Sequence, residues 1–305
     1  MLPNPFSSDA VLTARGLTKR YRRGGPAVLD DCTFTLPAGV VCALVGVNGA
    51  GKSTLMELAF GMQRPTSGTV EVFGEPARLS HPRIAYLAQD RPLFPRFTVS
   101  ETLRFGARTN PGSWDAELAE RVVDLSRFGR RDRIGDLSGG ERTRIALALA
   151  LGKRADLLLL DEPVADLDVL ARKELMGVLM AYVADTGSTV VMSSHVVAEL
   201  ADACDHLLLL ERGRVRLCDG IDELIESHAV VDLPGGPECL AGHTVVESRP
   251  AGRGTSALIR PGGDIPADWQ VRRPSLEELV LAHLTSREPR DLALPFVQLA
   301  KDTAA

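Results

Sequence analysis

This 305-residue sequence lacks several features, and each absence narrows what the chain can be. No apolar run approaches the roughly 20 residues that a bilayer-spanning helix requires, so work at a membrane would need a partner to supply the spanning segments. The start, MLPNPFSSDA, has no basic stretch followed by an apolar one, and no secretory signal is expected. The cysteines Cys32, Cys42, Cys204, Cys218 and Cys239 are odd in number and never take CxxC spacing. They read as reduced core thiols of a cytosolic protein rather than as disulfides or metal ligands. Positive charge is not in excess. Lys and Arg number 35 against 40 Asp and Glu, a net charge of −5, which argues against a nucleic-acid binder relying on a global positive field. Two basic clusters (Arg15, Lys19, Arg20, Arg22, Arg23, and Arg127, Arg130, Arg131, Arg133) read as solvated faces. Asparagine stands only at positions 4, 48 and 110 and never before lysine, so the N-K-x-D motif of guanine-reading GTPases is missing.

What is present points to phosphate. Residues 46–54, GVNGAGKST, place Gly46, Gly51, Lys52 and Ser53 at the positions of the loop G-x-x-x-x-G-K-[ST]. The apolar run Val40–Val45 precedes it and a helix over Lys52–Gly61 is predicted after it. Glycines 46, 49 and 51 let the backbone curl so that successive N–H groups point inward as an anion nest. The helix N-terminus adds partial positive charge. Val47, Asn48, Ala50 and Thr54 complete the loop. Lys52 would reach the β- and γ-phosphates of a nucleoside triphosphate, and the Ser53 hydroxyl would bind Mg²⁺. The bland alternative, a glycine-rich turn that happens to carry a lysine, does not account for the strand before and the helix after.

The 45% hydrophobic and 25% charged residues suit a soluble chain of one large domain or two. Short alternating strands are predicted at Val11–Leu17 and Val28–Leu36, and again at Gly68–Phe73 and Ile84–Ala88. Residues 98–152 turn helical, with apolar positions three and four apart. The continuous apolar runs Leu157–Leu160, Thr189–Met192 and Leu207–Leu210 suit a parallel sheet covered on both faces. A helix at Leu170–Asp185 makes a βαβ crossover between two of them. From about residue 229 the character changes to Gly- and Pro-rich sequence with strand candidates Thr244–Glu247, Ser256–Ile259 and Trp269–Val271. A helix at Ser275–Thr285 closes this part, and residues 286–305 read as a tail.

In LLLLDEP an apolar strand ends in two carboxylates at the sheet edge. Asp161 would hold the phosphate-bound metal, and Glu162 is placed to polarise an attacking water as general base. In DLSGGERTRIALALA, Ser138, Gly139 and Gly140 precede a long helix and form a second anion site. With this spacing from Lys52 and Asp161 the sequence resembles the ATP-binding-cassette (ABC) ATPases, over roughly residues 10–228.

That resemblance implies an α/β fold of the P-loop NTPase class: a mixed sheet with an antiparallel β subdomain and a helical subdomain at about 95–150. Residues 229–285 would add a small C-terminal accessory region that either tunes the protein or covers an edge of the main sheet. Tyr21 matches the aromatic that stacks on adenine, and Gln89 the glutamine that senses Mg²⁺ and the transmembrane partner. Ala165–Asp168 matches the loop that crosses the dimer interface, and His195 the switch histidine that contacts the γ-phosphate. The resemblance further implies a head-to-tail dimer of two copies of this chain. Ser138, Gly139 and Gly140 of one copy would then meet the ATP held by the other. Transmembrane permease subunits would dock near Gln89, with no nucleic acid as partner, placing the chain on the cytoplasmic face of the plasma membrane.

Four positions depart from the family's pattern. Val47 and Val169 stand where proline is usual, Glu141 where glutamine is, and Asp166 where glycine is. Glu141 brings negative charge near a phosphate, which would slow turnover or weaken closure. The ending PSLEELVLAHLTSR at 274–287 is similar to ATPases paired with exporter-type permeases. An importer subunit and a non-transport soluble ATPase are the alternatives.

Overall fold

A computed structural model describes residues 10–124, 128–197, 200, 203–252 and 254–286. The predicted tail beyond Ser286, and Arg127 of the second basic cluster, lie outside the described residues. Among the described residues the strands form three sheets. The first is antiparallel, with β1 (Ala10–Lys19) between β2 (Leu29–Pro37) and β4 (Ser67–Val72), and the short β5 (Glu75–Pro76) at its edge.

The second sheet carries six strands: β3 (Val41–Val45), β6 (Ile84–Leu87), β7 (Leu157–Leu160), β8 (Thr189–Ser194), β9 (His206–Glu211) and β10 (Arg214–Gly220). Their spatial order is β10-β9-β3-β8-β7-β6, with β10 antiparallel at one edge and every other pairing parallel. Apolar residues run without interruption through β3 and β7 because both faces are covered. Val41, Ala43, Val45, Leu158 and Leu160 pack into one core cluster. Cys42, Leu44, Leu157 and Leu159 pack into another, shared with the antiparallel sheet and with α1 (Lys52–Ala59). The first cluster is covered by α2 (Val99–Thr109), α3 (Ala116–Asp124), α4 (Gly139–Gly152) and α5 (Val169–Thr186). Helix α5 starts where Asp168 accepts the Ala171 N–H at 2.8 Å and stops at Gly187, whose φ of 67° ends the helix in the left-handed region. It joins β7 to the adjacent parallel β8, the predicted crossover.

The third sheet lies in the C-terminal part, with order β12-β13-β11-β14, all antiparallel: β11 (Ala229–Leu233), β12 (Thr244–Ala251), β13 (Gly254–Arg260) and β14 (Gln270–Arg272). None of its strands pairs with the six-stranded sheet, so it does not extend that sheet's edge. One face carries Val231, Ala257 and Ile259 against Ile265 and Trp269. From the other face, Val230, Val246 and Leu258 join Leu276, Leu279 and Val280 of α7 (Leu276–Thr285). This group is continuous with Ile221 and Leu224 of α6 (Ile221–Glu226) and so with the main core.

The sequence reading missed β5, β10, β11 and α6. Strand β10 begins by alternating charged and apolar residues at the edge of its sheet, and β11 is a five-residue run beside Pro234. Two readings of side chains are corrected. Lys19 is not on a solvated face: it is buried, with Nζ donating to Arg64 O at 2.8 Å and Gln63 Oε1 at 3.1 Å. Cys32 and Cys42 are core residues as expected, but Cys239 is exposed.

Candidate functional site

The carboxyl ends of β3, β8, β7 and β6 lie along one edge of the parallel sheet, and each delivers part of the site. After β3 the chain turns tightly through Gly46–Gly51, with the Ala50 N–H donating to Val47 O at 3.0 Å. A Cβ at Gly46 would stand 2.4 Å from Leu210 O. Gly51 has φ 106°, and a Cβ there would meet Leu29 at 2.7 Å. Neither position admits a side chain, which is why the loop spacing requires glycine at both.

An open cleft is lined by Asn48, Gly49, Gly51, Lys52, Ser53 and Thr54, by Gln89 after β6, by Glu162 after β7 and by His195 after β8. Lys52 is buried and its Nζ donates to Gly46 O at 2.7 Å and Val47 O at 3.4 Å. Burial lowers its pKa from the ordinary lysine value, while the nearby Glu162 and Asp161 carboxylates act in the opposite sense. The Val47 side chain points outward and is exposed, which explains why valine replaces proline there without crowding the cleft. Tyr21 is largely exposed, with its hydroxyl 3.1 Å from Thr54 Oγ1 and the Lys19 ammonium 5.3 Å from its ring centre.

Asp161 sits beneath the cleft, almost fully buried. Its Oδ1 accepts from Ser193 Oγ at 2.6 Å, and its Oδ2 is buried with no protein partner. An unpartnered buried carboxylate oxygen is costly unless something else meets it. Among the described residues no three His, Cys, Asp or Glu side chains gather as a metal site. Mg²⁺ does not need such a cage. It binds through one or two carboxylates, phosphate oxygens and its own waters, so the Asp161 carboxylate and Ser53 hydroxyl beside the phosphate loop fit that ion.

Glu162 adopts φ 48°, rare for a residue with a side chain. Its N–H donates to Ser193 Oγ at 2.8 Å, and its Oε1 lies 3.4 Å from His195 Nδ1. Ser193 therefore serves both carboxylate residues. Sequence reasoning passed it over, although a hydroxyl inside an apolar strand signals a buried partner. Arg91, also passed over, donates from Nη2 to Glu162 O at 3.3 Å and pairs with Asp166.

Ser138, Gly139 and Gly140 do not line this cleft. They lie beside the 165–168 loop of the same chain, where a Cβ at Gly140 would come within 3.3 Å of Asp166 O. Ser138 caps α4, and Glu141 closes a reciprocal box: its Oε2 accepts from the Ser138 N–H and Oγ, both at 2.8 Å. The glutamate at this position thus has a local structural reason.

Residues 29–165 match the ABC transporter family. The chain is 38% identical over 218 residues to the aliphatic sulfonates import ATP-binding protein of Burkholderia lata. That match spans 70% of this chain and 65% of the relative, just under two thirds of its length. It is 35% identical over 234 residues to the Nod factor export ATP-binding protein I of Cupriavidus metallidurans, covering 73% of this chain and 76% of that one. Among solved structures it is similar to an ATP binding subunit of an ABC transporter, with TM-score 0.62 and 26% identity over 71% of this chain and 92% of that chain.

Proposed function

The chain belongs to the ABC transporter family as an ATP-binding cassette ATPase, and on that basis we propose that it hydrolyses ATP to power a separate membrane permease. The observation that carries the site assignment is the meeting of Lys52 and Ser53 with Glu162 and His195 in one cleft above the unpartnered Asp161 Oδ2. The loop N–H groups from Gly46 to Thr54 and the Lys52 ammonium hold the phosphates. Tyr21 offers an exposed ring for the adenine. Glu162 orients a water towards the γ-phosphate and takes its proton. His195 steadies the Glu162 carboxylate and reaches the same phosphate. Ser53, Gln89 and Asp161 would hold Mg²⁺, which when bound neutralises charge on the β- and γ-oxygens.

Ser138, Gly139 and Gly140 lie outside the cleft of their own chain, which supports a role for them at the ATP of a second copy in a head-to-tail dimer. Nucleotide would then close the pair and hydrolysis release it. No helix among the described residues is long and apolar enough to cross a membrane. In the segment that follows Gln89, the exposed Phe94 and Phe105 meet Phe97 in tilted and edge-on contacts, with ring centres 4.9 to 6.3 Å apart. We assign this patch to a permease at the cytoplasmic face. Export is the direction the ending at 274–287 favours; import is the second reading, supported by the likeness to the sulfonate importer's subunit.

The test is Mg²⁺-dependent ATP hydrolysis by the full chain beside Lys52→Ala and Glu162→Gln. Lys52→Ala should lose binding or turnover. Glu162→Gln should still bind ATP and elute as a dimer with it, while hydrolysis falls on the order of a hundredfold or more. Parent-rate hydrolysis by Glu162→Gln, or a strict monomer at high protein and ATP concentration, would overturn this reading.

A further inference from the structure

The guanidinium of Arg91 joins the segment after Gln89 to Glu162 and Asp166, two neighbouring positions distant from it in sequence. It sits two residues after Gln89, and its side chain is only 10% exposed. Nη2 donates to the backbone carbonyl of Glu162 at 3.3 Å, and Nη1 pairs with the Asp166 carboxylate in the 165–168 loop. Nε is buried without a partner, so these two bonds, to Glu162 and Asp166, carry the group's orientation. Arg91 and Glu162 share a second property: both have positive φ, 46° and 48°. Residues with side chains persist in that region only where their surroundings over-determine them; at Glu162 the N–H donates to Ser193 Oγ at 2.8 Å, and the carbonyl accepts from Arg91 Nη2 at 3.3 Å and from the Ala165 N–H at 3.4 Å. A change in the Glu162 backbone would swing its carboxylate away from the cleft, because the side chain leaves the chain at that same strained residue.

Asp166 stands where the resembling family commonly has glycine. A glycine would leave the nearly buried guanidinium without its counter-charge, so Arg91 and Asp166 act as a matched pair. We propose that Arg91 is a positioning residue for hydrolysis: clamped by Asp166, it fixes the left-handed turn at Glu162 and so aims the general base. This rests on the reading of Glu162 as that base.

The experiment uses the full chain. Steady-state kcat and KM are measured for the parent, Arg91→Ala, Asp166→Gly and the double variant, with trinitrophenyl-ATP binding as the check on nucleotide affinity. Arg91→Ala and Asp166→Gly should each lower kcat about tenfold with KM and probe affinity within about twofold, the mark of an interaction used in the transition state. The double variant should be no slower than Arg91→Ala, since both remove one clamp. In single-turnover assays on Glu162→Gln, adding Arg91→Ala should cost nothing more, because the group it aims is already lost. An unchanged kcat, a loss confined to KM, multiplying losses in the double variant, or a further fall on Glu162→Gln would each overturn the proposal. If Arg91→Ala fails to fold, Asp166→Gly in the exposed loop and its combination with Glu162→Gln give the same readings. A parent that hydrolyses no ATP, or an unimpaired Glu162→Gln, refutes the ATPase reading itself and this proposal with it.

Discussion

The buried hydroxyl of Ser193 donates to Asp161 Oδ1 at 2.6 Å and accepts the Glu162 N–H at 2.8 Å, so one side chain on β8 holds both carboxylate residues at the end of β7. The bond to Asp161 leaves Oδ2 as the oxygen free to meet a cation.

Ser193→Ala removes the donor from a buried carboxylate and the acceptor from a buried N–H. A loss of about 1–3 kcal/mol in stability is expected. The Mg²⁺ concentration needed for half-maximal hydrolysis should rise, because Asp161 can then rotate. Thermal unfolding and a Mg²⁺ titration check the two effects separately. A variant that titrates like the parent would show that the hydroxyl does not orient Asp161.

Acid should loosen the joint between α6, β11 and α7. His228 Nδ1 lies 2.7 Å from Leu224 O and must donate to it, which leaves Nε2 of the neutral ring as an acceptor 3.5 Å from His283 Nε2. Burial, helped by His228, Arg216 and Arg260, pushes His283 down to about 3 from 6.5. Burial lowers His228 as well, against the Leu224 bond. Folded pKa values below the unfolded ones mean that this stability is full above pH 6.5 and is lost as pH falls from there towards 3. The slope below the unfolded pKa approaches about 1.4 kcal/mol per pH unit per histidine. Urea midpoints at neutral and mildly acid pH should therefore converge in His283→Phe relative to the parent. An undiminished pH slope in that variant would refute the assignment.

The C-terminal part should matter to the stability of the cassette. Leu279 is fully buried in the cluster that includes Ile221 and Leu224 of α6. Leu279→Ala is expected to cost about 2–5 kcal/mol, while ATP affinity stays at the parent value. A chain ending at His228 would uncover Ile221 and Leu224, and should melt earlier and bind a hydrophobic dye. If that shorter chain melted like the parent, residues 229–285 would be an independent accessory unit.

Much of the site was legible because its parts are local. The spacing of Gly46, Gly51, Lys52 and Ser53 encodes a turn that only glycine can make and a helix that starts on its last residues. Unbroken apolar runs at Val41–Val45 and Leu157–Leu160 announce strands covered on both faces, and Asp161 and Glu162 follow at the edge. Capping also follows from short-range chemistry, as at Ser138 with Glu141 and Ser275 with Glu278.

Periodicity carries no information about which strands become neighbours. The order β3-β8-β7 decides that Ser193 lies beside Asp161, and that His195 comes within 3.4 Å of Glu162. Folding likewise turned Lys19 inward onto Arg64 O, although its basic neighbours suggested a solvated face. The sequence by itself determined the glycine-rich loop and the acidic strand end, because each depends on residues within a few positions of one another, and it determined the cassette's class through the order and spacing of such local motifs along the chain. Tertiary structure alone decided the left-handed turn at Glu162, the Arg91–Asp166 clamp and the His228–His283 contact, because each is closed by hydrogen bonds or charge pairs between segments that only folding brings together.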